Sequence, residues 1–90
     1  MQTETATHVL PACSSLPVLR RDDNAPASES VESLQERLNH FGFSLKVDGF
    51  FGKNTEQAVL DFQSRNEDDS FPIDGIVGPL TWAALGSCKS

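Results

Sequence analysis

The sequence has no tyrosine, one tryptophan and only two histidines in 90 residues. His8 and His40 lie in separate segments without a His-x-x-His or Cys-x-x-Cys neighbour. The usual spacing of a zinc site is therefore missing, and neither a metal nor another cofactor is expected. Positive charge is scarce too: seven Lys and Arg stand against thirteen Asp and Glu, a net charge of −6. Polyanions are bound by clustered cations that displace counterions, and here only Arg20 and Arg21 are adjacent. That excludes nucleic acid and disfavours anionic membrane surfaces and teichoic acids, while an uncharged glycan stays compatible. Apolar runs are short, Ala83-Ala84-Leu85 being typical, against the roughly 20 residues needed to cross a bilayer. No membrane span is expected. Met1 to His8 carries neither a basic n-region nor an apolar h-region, so no export signal is visible in that stretch. The length suits one small domain and excludes a doubly wound nucleotide-binding enzyme or a barrel.

Residues 1–15, rich in Thr, Ser and Ala without sustained periodicity, read as a disordered leader. Leu16-Pro17-Val18-Leu19 reads as an extended arm packed on the domain, because the internal proline opposes a helix. Asp22 to Ser30 is a polar loop. Val31, Leu34, Leu38 and Phe41 then recur at spacings of three, four and three, one face of a helix that Ser30 can cap and Gly42 can close. A second helix runs from Thr55 through Gln63 with Ala58, Val59 and Phe62 on one side, fading into the acidic loop 66–70. A third begins at Pro79, a residue suited to the first helical position, and ends at Gly86. The expected fold is all-α, a small three-helix bundle: domain 16–86, followed by a tail at 87–90.

An internal repeat sets this bundle apart. Val47-Asp48-Gly49-Phe50-Phe51-Gly52-Lys53-Asn54-Thr55 aligns without a gap on Ile73-Asp74-Gly75-Ile76-Val77-Gly78-Pro79-Leu80-Thr81. The Asp-Gly pairs, Asp48-Gly49 and Asp74-Gly75, make tight turns, since the carboxylate accepts backbone N–H groups and glycine tolerates positive φ. Gly52 and Gly78 sit where helix N-caps belong, and Thr55 and Thr81 occupy the third helical position, where a hydroxyl can bond back into the turn.

Catalytic chemistry finds no support. Asp48 and Asp74 already have a complete local reason in turn formation, so they are not read as an acid–base pair. Glu67, Asp68, Asp69 and Asp74 miss the alternating spacing of a calcium loop. Cys13 and Cys88 have no partner base in view, and there is no Gly-x-Ser-x-Gly elbow. No enzyme is expected. The even cysteine count suits one bridge in an oxidising compartment, with two free thiols in a reducing one as the alternative. A Cys13–Cys88 disulfide tying the leader to the end of the third helix is the expected state.

Leu34-Gln35, Leu38 and Gly42, the two Asp-Gly-x-x-Gly-x-x-Thr turns, Phe62-Gln63, Thr81-Trp82 and Leu85-Gly86 together resemble the peptidoglycan-binding-like domain, from about Leu16 to Gly86. The resemblance implies a closed three-helix module with a pseudo-repeat, usually attached to bacterial cell-wall hydrolases and not itself catalytic. The implied partners are peptidoglycan, by its glycan or stem peptide, and an attached or associated hydrolase domain. The implied location is periplasmic, cell-wall or secreted, and the implied state a monomer. A protein-interaction or prodomain-like helical module without glycan binding is the alternative. A prodomain of that kind would carry a Pro-Arg-Cys-Gly-like segment after the helices, which Gly86-Ser87-Cys88-Lys89 does not match.

Repeat position also singles out ligand-binding candidates. Phe41, Phe51, Phe62 and Trp82 are expected in the core. Phe50 and Ile76 are equivalent, each beside an inward partner, Phe51 or Val77, so each is expected nearer the surface. There they could line a shallow groove beside the helix starts, with Lys53 and Arg65 meeting a carboxylate of the stem peptide.

Overall fold

The computed structural model describes residues 10–66 and 71–89. Their regular structure is three α-helices, α1 (Glu29–His40), α2 (Lys53–Ser64) and α3 (Pro79–Ala84), with a single 3₁₀ turn at Cys13–Ser15. No strand forms among the described residues, only isolated bridges. The all-α bundle read from periodicity is the observed architecture.

Each helix ends for a local reason. α1 is capped by Ser28, whose Oγ accepts from Val31 N at 3.1 Å, not by Ser30. Ser28 has the extended backbone that a cap requires, whereas Ser30 already lies within the first turn, where its side chain cannot reach forward to the free N–H groups. At the other end Gly42 N donates to Asn39 O and Phe43 N to Leu38 O, the paired bonds of a Schellman closure. α3 closes the same way, with Gly86 N on Ala83 O and Ser87 N on Trp82 O. The Arg37 guanidinium of α1 reaches across to donate twice to Leu85 O, at 2.9 and 2.7 Å. A cation at that helix terminus also favours its negative dipole end.

The core is filled by Leu34 and Leu38 from α1, Ala58 and Val59 from α2, and Trp82 with Leu85 from and just past α3. Phe51 and Val77, one from each turn, join them, as the repeat register predicts. Phe41 departs from expectation. It is exposed because it occupies the C-cap of α1, where the backbone leaves the helical track, and its ring meets Phe62 edge-on at 5.2 Å.

The extended arm is tethered at three points. Leu19 and Val77 exchange backbone bonds at 3.0 and 2.7 Å, Asp22 N donates to Phe51 O, and Trp82 Nε1 donates to Pro17 O at 2.8 Å. A buried indole needs such a partner. The chain before Leu16 is docked as well: Cys13 is buried, bonded to Cys88 as a disulfide, and flanked by a parallel bridge between Ala12 and Lys89. Cys13 and Cys88, which the sequence reading placed in the leader 1–15 and the tail 87–90, are thus both part of the buried core. Residues 1–9, 67–70 and 90, with the rest of the leader and most of the acidic loop, lie outside the described residues.

Gly49 and Gly75 both adopt positive φ, +80° and +76°, but their surroundings differ. A Cβ at Gly49 would stand 3.0 Å from the backbone N and O of Ser28; at Gly75 it would meet only side-chain atoms of Glu56 and Leu60, at 3.5 Å or more. Left-handed backbone alone costs a non-glycine residue roughly 1–2 kcal/mol. Gly75→Ala is expected to destabilise by about that amount, and Gly49→Ala by at least ~1 kcal/mol more because backbone must shift. Parallel urea titrations check this; equal losses would show that the α1 entry yields freely.

Candidate functional site

Two buried glutamines organise the turns. Gln35, on the inner face of α1, accepts from Asp48 N and Gly49 N with Oε1, each at 3.0 Å. Its Nε2 donates toward Asp48 Oδ1, Phe50 O and Thr55 Oγ1 at 3.0–3.1 Å. Gln63, on α2, repeats the pattern in the second turn, accepting from Asp74 N and Gly75 N and donating toward Asp74 Oδ1, Ile76 O and Thr81 Oγ1. Each carboxylate also accepts from the backbone two residues on, Phe50 N for Asp48 and Ile76 N for Asp74. That Phe50 bond, then the Gln35 bond, holds the Asp48 carboxyl below its ordinary pKa. At neutral pH it is ionised, with Oδ1 accepting from both Phe50 N and Gln35 Nε2.

The turn-forming roles assigned to Asp48, Gly49, Gly52, Thr55 and their partners Asp74, Gly75, Gly78 and Thr81 agree with this geometry: Gly52 and Gly78 are the N-caps of α2 and α3. The glutamines themselves are the residues that sequence reasoning passed over as structural hubs. Their signal was a polar residue at an inward position of each helix, directly after Leu34 and Phe62.

Fixing the first turn against α1 opens a groove of ≈ 660 Å³ between loop 43–48 and α2. Phe43 and Leu45 form one wall and Phe50, Lys53, Asn54 and Gln57 the other, with Gln35, Thr55 and Ala58 at the base. Phe50 is 52% exposed. The first turn of α2 has no side-chain cap, so its leading N–H groups face outward for want of intrahelical partners. Of the four ligand candidates, Phe50 and Lys53 line this groove. Arg65 stands beside it, its guanidinium 4.6 Å from the centre of the Phe43 ring and 3.2 Å from Asp61 Oδ2. Ile76 is half-buried and is not among the lining residues. Among the described residues no matching wall is seen at the second turn, where Pro79 stands in place of Lys53 and α3 spans only six residues. Phe43, Lys46 and Gln57 were missed because nothing in the repeat register marks them.

Among the described residues no group of three or more His, Cys, Asp or Glu side chains could hold a metal.

A family described as "Putative peptidoglycan binding domain" matches residues 27–85. An uncharacterized protein from the bpoA1 3′ region of Kitasatospora aureofaciens is 41% identical over 70 residues, covering 77% of this chain and 55% of its own length. The chain therefore spans about half the length of this curated relative. Among solved structures, the SleB N-terminal domain superposes with a TM-score of 0.67 at 37% identity, over 80% of this chain and 92% of that one. The endolysin of Burkholderia phage AP3 gives 0.66 at 34% identity, over 78% of this chain and 25% of the endolysin.

Proposed function

Since the chain belongs to the peptidoglycan binding domain family, we propose that it is a non-catalytic module that binds bacterial cell-wall peptidoglycan in the groove between loop 43–48 and α2. The observation that carries this assignment is the exposed Phe50 beside the uncapped start of α2. An apolar ring and unpaired N–H groups together suit a ligand with apolar sugar or lactyl faces and carbonyl or carboxylate oxygens. The groove is open and shallow, so affinity per module is modest and the benefit lies in effective concentration: an attached or associated hydrolase is held near its substrate. The small share of the phage endolysin that this chain covers is consistent with such an arrangement. The disulfide fits an oxidising, extracellular or cell-wall setting.

Phe50→Ala should weaken retention on insoluble peptidoglycan about three- to tenfold, the scale of losing half-buried aromatic contact, with a smaller effect for Ile76→Ala. Co-sedimentation beside thermal melts checks it. Unchanged retention moves the site elsewhere, and a wild-type chain that is not retained favours the protein-interaction alternative.

A further inference from the structure

We infer that the groove selects the peptide part of peptidoglycan, with Lys46 and Lys53 receiving the carboxylates of its stem; this rests on the reading above. Three of the seven cations are already engaged within the fold. Arg21 pairs with Asp23 and Glu56, Arg37 is bound to Leu85 O, and Arg65 is held by Asp61. Arg20, Lys46, Lys53 and Lys89 make no ion pair or side-chain hydrogen bond among the described residues. Two of those four line the same groove.

Among the described residues neither acid in the groove, Asp48 or Asp61, forms an ion pair with these lysines. Asp48 is engaged by Phe50 N and Gln35 Nε2, and Asp61 by Arg65. Asp48 attracts Lys46 only without direct contact. In a chain of net charge −6, a concave site with two ammonium groups outside any ion pair is where a small anion settles. Hydroxyl and acetamido groups of a glycan have no need of two cations, whereas a stem peptide supplies free carboxylates. Lysine acts as a mobile point charge, which suits a flexible peptide more than a rigid planar partner. Phe50 then packs against the apolar portion that carries those carboxylates, and Asn54 and Gln57 offer amide partners to its peptide bonds.

The test uses insoluble peptidoglycan freed of phosphate polymers, the same material with its carboxylates amidated, and glycan strands stripped of peptide whose exposed lactyl carboxylates are likewise amidated. Lys46→Gln and Lys53→Gln should each weaken retention on intact material about fivefold, and together about twentyfold, the scale of exposed ion pairs. Lys53→Arg should retain most binding. Amidation should cost the wild type as much as the double substitution does and cost the double variant little more, the coupling expected when both changes remove one interaction. Raising salt from about 50 to about 500 mM should weaken the wild type and leave the double variant nearly unaffected. Melting curves confirm that the variants fold. If the wild type binds intact, amidated and peptide-free material equally, the carboxylate assignment falls while peptidoglycan binding stands. If it binds none of them, the parent reading falls and this one with it.

Discussion

Breaking the Cys13–Cys88 disulfide is expected to remove about 4.5 kcal/mol of stability, taking the chain-entropy cost of a loop of this size. The two cysteines are 75 residues apart in sequence and both are buried in the native state. The bridge therefore closes most of the chain into one loop, and its loss frees the unfolded ensemble while leaving the helices as they are. A domain of this size has about a third to nearly all of its stability at stake, since whole domains are stabilised by only about 5–15 kcal/mol. The melting temperature should fall by roughly 20 °C or more. The double variant Cys13→Ser with Cys88→Ser, compared with wild type in urea and by calorimetry, measures this without thiol chemistry. A midpoint within a few degrees of wild type would mean that segment 10–15 detaches at no cost and that the core in 16–86 is self-sufficient.

The second large effect lies in the glutamine hubs. Gln35→Met and Gln63→Met conserve length and volume but strip five polar contacts from each turn. The N–H groups of Gly49 and Gly75, both buried, lose their acceptors, and the turn carbonyls of Phe50 and Ile76 lose a donor. An unsatisfied buried polar group costs about 1–3 kcal/mol. Each substitution should therefore destabilise by about 3–5 kcal/mol, and the two should behave alike because their partners are alike. Glutamate is no remedy, for it keeps the acceptor but replaces the donor with charge facing Asp48 or Asp74 and a carbonyl. Chemical denaturation of both variants reports the loss directly. A change below about 1 kcal/mol would show that water enters and replaces the amide. Gln35→Met should in addition loosen the groove, so its retention on peptidoglycan should fall more than that of Gln63→Met at temperatures where both remain folded.

These effects follow from features of unequal visibility. The sequence by itself determined the three helices, the paired Asp-Gly turns, the glycine caps and the inward placement of Phe51 and Val77. All of these rest on short-range causes: 3.6-residue periodicity, hydrogen bonds within a few residues and steric limits on φ. The cap of α1 slipped by two residues because Ser28 and Ser30 have the same chemistry, and only the path of the loop before them gives one an extended backbone. Tertiary structure alone decided which of two equivalent turns carries the groove. Phe50 and Ile76 have the same repeat position, yet among the described residues only the first turn has a loop, 43–48, folded opposite it, bringing Phe43 and Lys46 to face α2. Exposure and concavity arise from how segments distant in sequence pack, and a repeat register holds no information about what lies across the space between them.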